Sequence, residues 1–240
     1  EALTKIVRPK FQTLGETFSS YFSAKTGDEF FPHVAKHARR TVNPPKDSWV
    51  AFAPNKRGYK ALPHFQIGLW NSHLFIVVAV IYEAPQKAEM AQRLLHNMDA
   101  FNQLSDDYII SGDHMSPDAI RLGEARGENL EKLMIRLRDV KKGEFLVGRH
   151  IVADDAINLS SNEFMQLVEK TFDDLLPIYN IIVGNHHDGI TDGLKIALKL
   201  QLFIHIIMLL HHNDEFRTIS KLNISRRNRV IGCTGSRTLC

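Results

Sequence analysis

Between His33 and His64 the chain reads HVAKHARRTVNPPKDSWVAFAPNKRGYKALPH, with seven lysines or arginines, three histidines and one acid, Asp47. The whole chain has a formal charge of only +3, so positive charge is concentrated in this segment. Lys36, Arg39, Arg40, Lys56, Arg57 and Lys60 can each donate to phosphate oxygens, and arginine can do so through a two-pronged fork. Asn55-Lys56-Arg57-Gly58 has turn composition and would present two cations together. The chemistry these residues point to is anion binding, with a phosphate-bearing small ligand or RNA as partner and His37 and His64 at the edge of the site. The same charges, paired with nearby acids on a solvated face, are the competing explanation. An acidic protein partner is a third.

Other chemistries have weaker warrants. His64 could act as a general acid or base, with Glu83 or Asp113 as partner and the cations stabilising developing negative charge. That would make the protein a small hydrolase or transferase, with the nucleophile still missing. Ser111, Asp113 and His114 sit together in SGDH, but triads are assembled in space and this spacing reads as a turn in which Asp113 satisfies backbone amides. His33 and His37 would share one face if VAKHARR were helical, yet the cations beside them would repel a metal ion. No metal site and no cofactor are expected. P-loop, dinucleotide-binding and zinc-finger spacings do not occur. Cys233 and Cys240 are the only cysteines, which excludes a thiolate nucleophile or cysteine-based zinc site in the body of the chain. Interleaved aromatics could stack on bases, and alternation leaves Tyr59 and Trp70 as the exposed candidates.

These residues need a scaffold, and the 240-residue chain is long enough to bury a core. Residues 1–24 read as helical, with Pro9 bending the pattern or starting a second helix, and Gly27 closing it. Trp49–Ala53 reads as a strand. Phe65–Trp70 and Leu74–Tyr82, separated by Asn71–His73, read as an antiparallel hairpin, and the second run is apolar on both faces, as a covered central strand would be. A helix is expected over Lys87–Phe101, a strand over Tyr108–Gly112, polar loop over 113–127, a helix around Leu130–Leu137 and a strand over Glu144–Val152. Ser160 and Glu163 have capping-box spacing for a helix carrying Phe164, Leu167, Val168, Phe172, Leu175 and Leu176, which Pro177 should interrupt. Helices alternating irregularly with antiparallel strands indicate an α+β fold with helices packed on one sheet.

The stretch LKIALKLQLFIHIIMLL, at 194–210, is broken by Lys195, Lys199, Gln201 and His205. Its longest uninterrupted apolar run is far short of the roughly 20 residues a membrane span needs, so no membrane partner is expected. Residues 217–240 are polar and basic, with the composition of a disordered tail. A reducing, cytoplasmic compartment is the simple expectation from cysteine usage.

The segment FPHVAKHARRTVNPP, continuing through WVAFAPNKRGYKALPHFQIGLW to IYEAPQK, closely resembles the UPF0637 (DUF1054) family of uncharacterised bacterial proteins. The likeness continues in SGDH at Ser111–His114, RLRDVKKGEFLVG at Arg136–Gly148 and LLPIY at Leu175–Tyr179, and covers about residues 1–182. It implies a single compact α+β domain and no particular activity. Family members carry a further segment before the equivalent of Glu1 and end soon after the equivalent of Tyr179. The expected division is therefore a family domain over 1–183, lacking its natural N-terminal segment, and an atypical extension over 184–240, which reads either as a real extension or, the favoured expectation, as out-of-frame or vector-derived sequence.

Overall fold

A computed structural model of the chain describes residues 6–37 and 45–185, which fall in one compact unit. Helix α1 spans Arg8–Thr26, with Pro9 in its first turn, where no intrahelical amide is lost. It ends at Gly27, whose φ of 81° lets its amide turn back to the Ser23 carbonyl. Phe11, Gly15, Phe18 and Phe22, spaced by four and three residues, form its buried stripe.

Strand β1 covers only Phe31–Val34, followed by β2 (Asp47–Ala53), β3 (His64–Trp70) and β4 (His73–Val80). The chain stays extended past β1, because the Ala35 amide donates to the Trp49 carbonyl at 2.9 Å. His33 and His37 therefore do not lie on a helix face. His37 then takes a φ of +50°, a left-handed conformation uncommon outside glycine. Arg39 and Arg40 lie outside the described residues, as does everything from residue 186 onward. The β3–β4 hairpin forms in the expected antiparallel register, with Leu69 opposite Leu74 and Ile67 opposite Ile76.

Helix α2 is Lys87–His96, and a 3₁₀ turn follows over Met98–Gln103 in place of one continuous helix to Phe101. Asn97 makes the break: its extended φ of −127° ends the α-helical ladder, and its side-chain amide donates to the Arg93 carbonyl at 2.8 Å. Strands β5 (Ile109–Ser111) and β6 (Ile120–Arg121) pair with each other, and helices α3 (Leu122–Ala125) and α4 (Glu128–Asp139) lead to β7, Phe145–Val152. The short α5 (Ala153–Ala156) precedes α6, Ser161–Val183. Both halves of the capping box form on α6: Ser160 Oγ accepts from the Glu163 amide, and the Glu163 carboxylate accepts from the Ser160 amide at 2.9 Å. Pro177 does not stop this helix. Ile178, Tyr179 and Ile182 beyond it are buried, and that packing holds a helix which has lost one internal hydrogen bond.

All pairings among the described strands are antiparallel, in the order β1-β2-β3-β4-β7-β5-β6. The fold is α+β, as expected. One face of the sheet packs against the helices. There Phe22 stacks on Phe65 at 4.1 Å, and Phe172 meets Phe18, Phe22 and Phe65 edge-on. Such contacts add about 0.5–1.5 kcal/mol each beyond area burial. The opposite face carries a second, smaller cluster of Phe75, Val77, Ala79, Ile81, Ile109 and Leu146, with Trp49, Trp70 and Ala119 against it. Only strand and loop residues contribute to it, so loops rather than helices shape this face.

Candidate functional site

Alternation along the strands decides which polar groups reach the loop-covered face. His33 is in phase with Ala51 and Gln66, and Trp49 with Gly68, Phe75 and His150. His64, Gln66 and Trp70 belong to the same row of β3, and Glu144 continues the phase of Leu146, Gly148 and His150.

At the β1–β3 end, the loop between β2 and β3 folds back onto this face. Asn55 Oδ1 accepts the Arg57 amide at 2.8 Å, and the Asn55 carbonyl accepts from His33 Nε2 at 2.9 Å. A carbonyl can only accept, so Nε2 of His33 carries a proton. Burial holds this ring below the ordinary histidine range, and the bond to Asn55 partly offsets the effect. Tyr59 lies edge-on to His64 at 4.7 Å, and its hydroxyl accepts from Trp49 Nε1 at 2.9 Å. The other basic segment arrives at the same indole: the His37 ring stands perpendicular to Trp49 at 5.7 Å, and its Nε2 lies 3.3 Å from Ser48 Oγ. Trp49 thus joins Lys36–His37 to the Asn55–Lys60 turn.

The cations differ in their surroundings. Lys60 pairs with Glu83 at 2.9 Å, and that hydrogen bond is the main reason its pKa is raised. Lys36, Lys56 and Arg57 are exposed and make no ion pair among the described residues. His64 is fully buried, and its partners are neither Glu83 nor Asp113. Its Nδ1 donates to the Leu62 carbonyl at 2.8 Å, which leaves Nε2 to accept from Gln66 at 2.9 Å. Burial pushes its pKa down to about 4 despite the favourable Leu62 carbonyl. With both nitrogens engaged and no exposed edge, His64 is placed to brace the loop.

Farther along the same face, a narrow groove lies among Gln66, Trp70, Phe75, Ser111, His114 and His150. It adjoins an open cleft of about 600 Å³ between the 111–120 loop and α4, lined by Asp113, Asp118, Lys132 and Arg136 among others. Here the structure assembles a pair that spacing along the chain did not reveal. His114 follows β5 and Glu144 precedes β7, and those strands are hydrogen-bonded neighbours with Ser111 opposite Leu146. His114 Nδ1 lies 2.8 Å from both Glu144 oxygens, and the His114 amide donates to Glu144 Oε2 at 2.8 Å. The Tyr82 amide adds a longer contact of 3.3 Å. Burial alone would raise the Glu144 pKa, but the bonds from His114 and the Tyr82 amide outweigh it and hold the group below the ordinary carboxylate range. Asp113 is exposed beside the pair and accepts the Met115 amide at 2.8 Å, as the turn reading of SGDH predicts. The signal for Glu144 was available: it is an acid at the start of the strand run EFLVGRHIV, in the phase of Leu146 and Gly148. His73 and His150 also stack on this face, 3.8 Å apart, with His73 Nε2 buried and lacking a hydrogen-bond partner among the described residues.

No helix among the described residues is long and apolar enough to cross a membrane. A family model described as a domain of unknown function, DUF1054, matches residues 1–179. A UPF0637 protein of Lysinibacillus sphaericus is 69% identical over 183 residues, covering 76% of this chain and 87% of its own length. UPF0637 proteins of Staphylococcus haemolyticus and Bacillus cytotoxicus are each 49% identical, over 179 and 181 residues. Each of those matches covers 75% of this chain, and 88% and 87% of the respective relative. By the family model and by these identities, the chain belongs to the UPF0637 family of DUF1054 proteins.

Proposed function

We propose that the loop-covered face of the sheet binds a phosphate-bearing ligand, with single-stranded RNA as its preferred form. The observation that carries this function is the convergence of two basic segments on Trp49, through the Tyr59 hydroxyl on one side and the His37 ring on the other. Lys36, Lys56 and Arg57 stand at the rim without acidic partners among the described residues, so binding an anion breaks no existing pair there. Trp49, Tyr59 and Trp70 are half-buried, with part of each ring left for contact. A base stacked on such a ring gains about 1–3 kcal/mol. A hydrolase or transferase that uses His64 as base gains no support, because neither ring nitrogen is available.

Filter binding of a labelled single-stranded RNA at stepped salt tests the function, with a duplex RNA and a mononucleotide as competitors. Affinity should fall linearly on a log–log plot against salt, with a slope near 0.7 for each neutralised phosphate. The double variant Lys56→Ala/Arg57→Ala should flatten that slope by about 1.4, whereas Lys170→Ala on α6 should not change it. Equal competition by the mononucleotide would assign the small ligand in place of RNA. An unchanged slope in the double variant would remove the turn from the site, and retention of an acidic protein but no phosphate compound would favour a protein partner.

A further inference from the structure

We propose that Asp113, His114 and Glu144 form a binding site for a divalent zinc-type metal ion. The site is independent of phosphate binding at the other end of the face. One donor atom from each of the three side chains lies within 4.8 Å of the other two. Zinc holds imidazole nitrogen and carboxylate oxygen at roughly 2.0–2.2 Å, so ligands around a tetrahedral ion stand about 3.3–3.6 Å apart. Small side-chain movements therefore close the set.

The placement comes from the sheet. Asp113 and His114 sit just beyond β5, Glu144 sits just before β7, and the β5–β7 ladder fixes the two segments side by side. Glu144 is buried and fixed in orientation by the His114 amide. No lysine or arginine among the described residues pairs with Glu144 or Asp113. The nearby ammonium of Lys87 is instead occupied by the carbonyls of Leu137, Val140 and Gly143. Arg136, the other nearby cation, likewise donates to a carbonyl, that of Gly112, so among the described residues His114 is the ionisable side chain that pairs with Glu144. One Asp113 oxygen takes the Met115 amide, and the other carries no hydrogen bond among the described residues.

One imidazole with two carboxylates is a donor set suited to zinc, which accepts nitrogen and oxygen together, and less suited to magnesium, which prefers oxygen alone. On binding, the ion takes the place of the Nδ1–H that His114 directs at Glu144, and the imidazole then carries its proton on Nε2. Three protein ligands leave a fourth position. The exposed side of the site opens toward the groove containing Ser111, Ser116 and His150, so that position is accessible to water or to a ligand's oxygen.

Calorimetric titration of the chelator-treated 240-residue chain with zinc chloride tests the site, with magnesium in a parallel run. Histidines and cysteines beyond residue 185 offer zinc other donors, so the decisive quantity is the difference between variants. His114→Asn and Glu144→Gln should each remove one equivalent of bound zinc. Asp113→Asn should keep the circular dichroism spectrum and weaken that equivalent tenfold or more. Because Asp113 is exposed, its variant decides the matter if removing the buried Glu144 charge prevents folding. Zinc stoichiometry and affinity in Asp113→Asn equal to those of the parent would overturn the site, as would magnesium binding as tightly as zinc.

Discussion

A methyl group added at Gly68 would land 2.1 Å from the edge of the Phe75 ring, which lies across the glycine from the neighbouring strand. The ring covers backbone that a larger residue would push it from, and it is also part of the groove lining. Gly68→Ala should therefore cost about 1–3 kcal/mol through overpacking, read as a lower urea midpoint. A midpoint equal to the parent's would mean that Phe75 swings away freely. At this scale the sequence was legible where alternation decides direction: Gln66, Gly68 and Trp70 do occupy the face opposite Phe65 and Ile67. The pairing of His114 with Glu144 was not legible, because two residues separated by 30 positions meet only once two strands have been placed side by side.

Among the elements, α6 shows local signals and tertiary packing in opposition. Its N-terminal capping box was readable from Ser160 and Glu163 because both partners lie within one turn. Removing that cap with Ser160→Ala should cost about 0.5–2 kcal/mol. Pro177 reads locally as a stop, yet Ile178, Tyr179 and Ile182 beyond it are buried and the helix continues. Pro177→Ala should restore an amide donor to the ladder and raise stability. An interior proline is worth about 3 kcal/mol against a helix, offset by about 0.4–1 kcal/mol of extra freedom gained by the unfolded chain. Chemical denaturation of the two variants measures both effects, and a destabilised Pro177→Ala would show that the helix is fitted to the proline. The start of the segment after His33 stayed open between helix and extended chain because its pattern allows both, and the Ala35–Trp49 hydrogen bond, which no local pattern encodes, makes it extended.

Across the whole molecule, buried neutral histidines make stability depend on pH. His64 and His150 both have pKa values pushed down to about 4, His64 by burial and His150 by burial and by its neighbour His73. Unfolding releases these rings to the ordinary value of 6.5, so between pH 6.5 and 4 the unfolded chain binds more protons than the folded one. Their stabilising contribution is complete above that window and is lost as pH falls through it. For His64 the loss is on the order of 3 kcal/mol. Urea midpoints should decline from pH 7.5 to pH 5, and His64→Gln should make the decline shallower. An equally steep decline in the variant would place the proton uptake elsewhere. The α+β class was legible at this scale, because irregular helix–strand alternation and a short hairpin favour it over a doubly wound parallel sheet. The landing of β7 between β4 and β5, which brings Glu144 to His114, is a long-range choice with no counterpart in local composition.

The chain has two tryptophans, and Trp49 and Trp70 both project onto the loop-covered face. Indole emission is therefore a native optical probe of that surface alone, with no dye or label required. Trp49 would register an arrival at the basic rim through its bond to Tyr59, and Trp70 an arrival in the groove. Shielding of either ring from a soluble quencher would tell which half a compound has occupied.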